Sequence, residues 1–166
     1  LLEDVAAAPC LERTVQRTPA PAARSALADA LVALLLSLHR RGIDHGDLQA
    51  SHLYGTERFA LIDLEGVRFA RALSDDARLR ALAELNASLP DAALDAQARR
   101  CAFERYARAL PFRMEPAEAL RQVVGRSLRR AHRWSGAGCD AAVSPATPRA
   151  TGSSSTTPPP DHPHPP

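Results

Sequence analysis

The hydrophobic positions of this chain fall into two rhythms. Residues 22 to 41, AARSALADALVALLLSLHRR, carry apolar side chains nearly all round with no internal Gly or Pro, which predicts a buried helix. Arg40 and Arg41 suit the negative end of its dipole, and Gly42 stands where a left-handed residue closes a helix. The rhythm then shortens. HLY at 52 to 54 and FALID at 59 to 63 flank the turn GTER, which predicts two short strands joined as a hairpin. From Asp75 helical spacing returns, over 75–89, over 91–110 with Asp91 as cap after Pro90, and over 115–134. Ahead of all these, LLEDV at 1 to 5 fits the end of a strand, and 6 to 23 reads as a short helix and a proline-punctuated linker. The expectation is a mainly α body around a small β-hairpin.

Composition changes this picture mostly at one end. From about Gly136 the chain is Pro, Ser, Thr and Ala, so 135–166 is expected to be a disordered tail, because such a segment cannot offset its ordering entropy. The remainder, on the order of 135 residues, buries roughly two thirds of its unfolded surface, enough for one modest core. Charges interleave at a net +2, with no basic run to attract nucleic acid. All 21 cations are Arg, which excludes any chemistry on this chain that needs a lysine amine. Cys10, Cys101 and Cys139 are widely spaced and read as reduced thiols of a cytoplasmic protein. The apolar stretch at 27 to 38 is interrupted by Asp29 and falls short of the roughly 20 residues that cross a bilayer. An opening without Met reads as a fragment of a longer product.

The chemistry concentrates in HRRGIDHGDLQASHLYGTERFALIDLEGVRF, residues 39 to 69. A loop after the long helix carries His45 and Asp47, His52 starts the hairpin, and Asp63 ends it. Phosphoryl transfer needs this set: an acid beside the acceptor hydroxyl, and ligands for the divalent ion that holds nucleotide phosphates.

On those residues the chain resembles a known fold. HGDLQASHL is similar to the protein-kinase catalytic loop, and LIDLEG to the strand and metal-binding segment that follows it. With His at the fifth position after the Asp, and with LAELNASLPDAALDAQARRCAFERYARAL following, residues 1 to 112 resemble the lipopolysaccharide kinase family, whose members phosphorylate heptose or Kdo sugars of the lipid A core. The resemblance implies a protein-kinase-like C-terminal lobe (α+β), the N-terminal lobe being absent from this chain. It implies that Asp47 orients the acceptor hydroxyl and takes its proton, that Asp63 binds Mg²⁺ or Mn²⁺, and that His52 holds the metal or braces the loop. It makes His45 a scaffold between catalytic loop and metal segment, residues 1 to 5 with Glu3 and Val5 a hinge meeting the adenine of ATP, and Tyr54 the floor of that pocket. The implied partners are ATP and a sugar or glycolipid acceptor, with a cytoplasmic location, peripheral at the inner membrane.

This sequence departs from the protein-kinase pattern at Gly46, Gln49 and Leu64, and it contains no strand Lys. Two other readings therefore stand beside the first: a protein or small-metabolite kinase, and a catalytically inactive scaffold. Outside the motif, His39 reads as a dipole partner, Glu65 and Arg68 as a local pair, and the Arg residues of 98–110 and 126–133 as solvated faces.

Overall fold

In a computed structural model the fold is described for residues 10–15, 20–55 and 58–130. The expected hinge with Glu3 and Val5, and the expected tail, lie outside the described residues. Helix α1 (Leu11–Val15) precedes α2 (Pro21–Arg40), which ends as the sequence predicts: Gly42 follows the cap with φ +69, and a Cβ there would meet the Ala70 carbonyl. By length and composition alone α2 could cross a bilayer, with a mean hydropathy of 1.4 over Ala22–Arg40. It packs against α4 (Ala96–Ala109), and its Leu27, Leu31 and Leu35 are buried. It is not buried all round as the sequence suggests; Ser25, Asp29, Ala33 and Ser37 face outward. Polar or small side chains at these positions need no apolar partner, and they leave α2 a solvated face.

The hairpin forms as predicted. Strand β2 (Leu53–Tyr54) pairs antiparallel with β3 (Ala60–Leu61), Leu53 opposite Leu61. A second pair was not expected: β1 (Ile43–Asp44) lies antiparallel to β4 (Arg68–Phe69), closing the segment between them into one loop-rich unit. Arg68 consequently reaches Asp44 at 3.5 Å and does not form the expected local pair with Glu65.

Helix α3 (Asp75–Ser88) starts at Ser74, whose hydroxyl accepts from the Ala77 amide. Helix α4 begins five residues later than the sequence suggests, because Asp95 and not Asp91 caps it, accepting from the Ala98 amide at 2.8 Å. Asp91 instead pairs with Arg99, which also donates to the Leu89, Leu94 and Asn86 carbonyls and so fixes the α3–α4 connection. Helix α5 (Pro116–Leu128) packs on α3. Leu79, Leu82 and Leu85 of α3, Phe103 and Tyr106 of α4 and Val123 of α5 complete one core with α2. Each buried side chain of this size contributes about 1.5–3 kcal/mol. The loop-rich unit of 43–69 is thus carried on a helical base.

Candidate active site

Three side chains from the loop-rich unit converge. One potential ligand atom each from Asp47, His52 and Asp63 lies within 4.8 Å of the other two. The local fold explains why. Asp44 accepts from the Gly46 amide at 3.1 Å, forming a turn that throws the chain back over itself. Gly46 has φ +84 and sits so close to the Gly66 carbonyl that a Cβ would lie 2.6 Å from it. Only glycine lets the Asp47 loop press against the segment carrying Asp63. From the other side, the Ile62 amide donates to the His52 carbonyl at 3.1 Å, which fixes Asp63 beside His52.

The protonation of the two histidines follows from their partners. His52 Nδ1 lies 2.9 Å from the Asp47 carbonyl, which can only accept, so Nδ1 carries the proton. Its Nε2 is the nitrogen turned to the cluster, 3.8 Å from Asp63 Oδ2. A ring held through its other nitrogen in this way is the usual arrangement of a metal-ligating imidazole. By the same reasoning His45 Nε2 donates to the Ile62 carbonyl at 3.1 Å, while its Nδ1 is buried with no partner. The two rings stack at 6.1 Å. Asp47 Oδ1 accepts from Gln49 at 2.7 Å, and its Oδ2 stands 3.9 Å from His52 Nδ1.

Asp63 adopts φ 58 and ψ 59, the single described non-glycine residue with positive φ. Left-handed backbone at a residue with a Cβ costs free energy, and such positions cluster where function fixes the geometry. Two carboxylates and an imidazole suit a divalent cation: the oxygens match Mg²⁺, and the nitrogen is better matched to Mn²⁺.

Of the predicted site residues, Asp47, His52 and Asp63 come together and His45 underlies them. Tyr54 is half-buried on β2, bridged to Cys10, and is not among the three. Sequence reasoning passed over Asp44, buried and paired to Arg80 at 2.6 Å, although the D-x-G spacing ahead of Asp47 is a turn signal. It also passed over Glu84, buried on α3, whose Oε2 accepts from the Leu48 amide at 3.2 Å. Burial pushes the Glu84 carboxyl above its ordinary range, against the opposing pull of the Leu48 amide and of Arg130 and Arg80.

The pattern of the lipopolysaccharide kinase (Kdo/WaaP) family matches residues 1–106, which include every residue of this cluster. The chain belongs to that family. No curated protein matches this lipopolysaccharide kinase family member. Among solved structures, WaaP in complex with acyl carrier protein is similar at a TM-score of 0.57 and 25% identity, over 73% of this chain. The likeness spans only 54% of that WaaP chain. Partial coverage accords with the mostly helical architecture and its small antiparallel pairs being part of a kinase-like lobe.

Proposed function

We propose that this chain is the C-terminal lobe of an ATP-dependent phosphotransferase that acts on a sugar hydroxyl of the lipopolysaccharide core. The convergence of Asp47, His52 and Asp63 carries the reading. In it, Asp47 orients the acceptor hydroxyl and takes its proton. Gln49, bonded to Asp47 Oδ1, leaves Oδ2 free for that role. Asp63 and His52 Nε2 would hold a divalent cation, which when bound neutralises charge on the nucleotide phosphates. His45 keeps the Asp47 loop in register with Asp63 through the Ile62 carbonyl. A cytoplasmic site of action, peripheral at the inner membrane, goes with a glycolipid acceptor. ATP turnover by the longest form of the protein should fall on the order of 10²–10⁴-fold in Asp47→Ala. Loss in Asp63→Ala should be at least as large, since charge stabilisation dominates such transfers. Unchanged turnover in either variant would overturn the assignment.

Acyl carrier protein, the partner of the solved WaaP, is proposed as a partner here as well. A cavity of about 410 Å³ between α2, α3, α4 and α5, lined by Leu31, Leu35, Leu82, Leu85 and Phe103, offers apolar room for an acyl chain. Native mass spectrometry with acylated and acyl-free carrier protein tests this: a complex with the acylated form that Leu82→Arg abolishes supports it, and equal or no binding by the two forms removes it.

A further inference from the structure

Helix α3 turns a row of polar side chains toward the loop that bears Asp47. Arg80, Glu84 and Ser88 are spaced four apart, and each holds a different point of that loop. Arg80 Nη2 bonds Asp44 Oδ2 at 2.6 Å, Glu84 Oε2 accepts from the Leu48 amide at 3.2 Å, and Ser88 Oγ accepts from the Ala50 amide at 2.8 Å. Ser88 in turn donates to the Leu85 carbonyl, so its hydroxyl is fixed as an acceptor toward Ala50. The loop residues 48 and 50 are themselves buried, which leaves their amides no water to turn to.

Glu84 is the middle and least expected member. A carboxylate 3% exposed in the midst of a helical core is costly unless it is paired and hydrogen-bonded. Its second oxygen, Oε1, is paired at 2.8 Å with Nη2 of Arg130, just beyond the end of α5. Arg130 lies outside the residues matched by the family pattern and reads from sequence as a solvated cation. It instead reaches back 46 positions to an acid whose other oxygen touches the residue after Asp47.

We infer that Glu84 is a positioning residue for Asp47, and that Arg130 holds it in place, so that α5 sets the geometry of the catalytic loop. The catalytic consequence rests on the phosphotransferase reading; the mechanical link does not. Removing the cation would leave the buried Glu84 carboxylate without its directly bonded partner, Arg80 acting on it only at a distance, so that the carboxylate could swing or take up a proton and the Leu48 amide would lose its acceptor.

Amide hydrogen exchange, read residue by residue on the intact chain, tests the link. Arg130→Met keeps the aliphatic stem of a side chain that is 42% exposed and so spares the fold. It should speed exchange at Leu48 by about tenfold or more, with Ala50 less affected and α4 amides unchanged. Ser88→Ala should do the reverse, freeing Ala50 in preference to Leu48. Protection at Leu48 unaltered in Arg130→Met, or lost equally across α3, α4 and the loop, would overturn the inference. In the longest form of the protein, the same Arg130→Met should lower kcat with the nucleotide KM unchanged, as expected for a displaced acid and not for a damaged nucleotide site. Faster Leu48 exchange with kcat unaltered would keep the link and overturn the positioning role. No turnover in the unmodified protein would count against the phosphotransferase reading and leave the exchange result standing.

Discussion

Two polar clusters in this molecule are built on opposite terms. The first joins α2, α3 and α4: His39, Arg78 and Tyr106 are 4%, 5% and 0% exposed. Arg78 Nε donates to the Tyr106 hydroxyl at 2.9 Å, and the same hydroxyl shares a hydrogen bond of 2.6 Å with His39 Nδ1. Arg78 also donates to Asp75 and to the Leu110 and Pro111 carbonyls, and its guanidinium lies 4.1 Å over the Phe112 ring. The second cluster, Asp47, His52 and Asp63, gathers two acids whose side chains are 44% and 50% exposed, one of them on left-handed backbone. In the first, polar atoms answer one another across three helices. In the second, His52 Nε2 stands 3.8 Å from Asp63 Oδ2, and the three side chains offer ligand atoms within 4.8 Å of one another. Saturated polar groups belong to the fold, and groups gathered but left unsaturated are suited to a ligand.

The sharpest way to break that contrast is pH. Burial, and after it the nearby Arg78 charge, disfavours the charged imidazole of His39 and lowers its pKa from 6.5 to about 4. Between those values the unfolded chain binds a proton that the folded chain refuses, so stability falls as pH drops from about 6.5 towards 4. At about 1.4 kcal/mol per tenfold change in proton activity, the loss is roughly 3 kcal/mol. Urea unfolding of the native protein and of His39→Gln, which cannot take up the proton, at pH 7, 5.5 and 4.5 measures it. The native protein should lose stability relative to the variant on acidification. Parallel decline in both would mean that His39 is not the refusing group and that the cluster is less closed than its geometry says.

That cluster was also the least legible in the sequence. His39 looked like a cation at a helix end, but its partner lies 67 residues away on α4, and no local pattern signals a pairing at that range. Glu84 and Asp44 are hidden for the same reason, their partners standing 36 residues off. The Asp47, His52 and Asp63 group was visible because its geometry is local: one glycine turn and one two-residue hairpin pairing bring it together. The displaced start of α4 is a different kind of miss. Asp91 and Asp95 are equally good caps in isolation, and Arg99 decides between them by engaging Asp91.

The smallest predicted effect bears on the open cluster. Asp63 carries a Cβ at φ 58, which costs about 1 kcal/mol that glycine would not incur. Glycine loosens the unfolded chain in return, by about 0.4–1 kcal/mol. No hydrogen bond within 3.5 Å ties the described Asp63 side chain to the fold, its nearest partner being His52 Nε2 at 3.8 Å. The two effects should therefore nearly cancel, and Asp63→Gly should change the unfolding free energy by less than about 0.5 kcal/mol while removing a ligand from the cluster. Denaturant unfolding at pH 7 reads the first quantity, and Mn²⁺ titration followed by electron paramagnetic resonance reads the second. A stable variant that no longer binds Mn²⁺ would fit an acid kept on strained backbone for a ligand. A loss of more than about 1.5 kcal/mol, the scale of a buried network member, would instead make Asp63 part of the fold and erase the distinction between the two clusters.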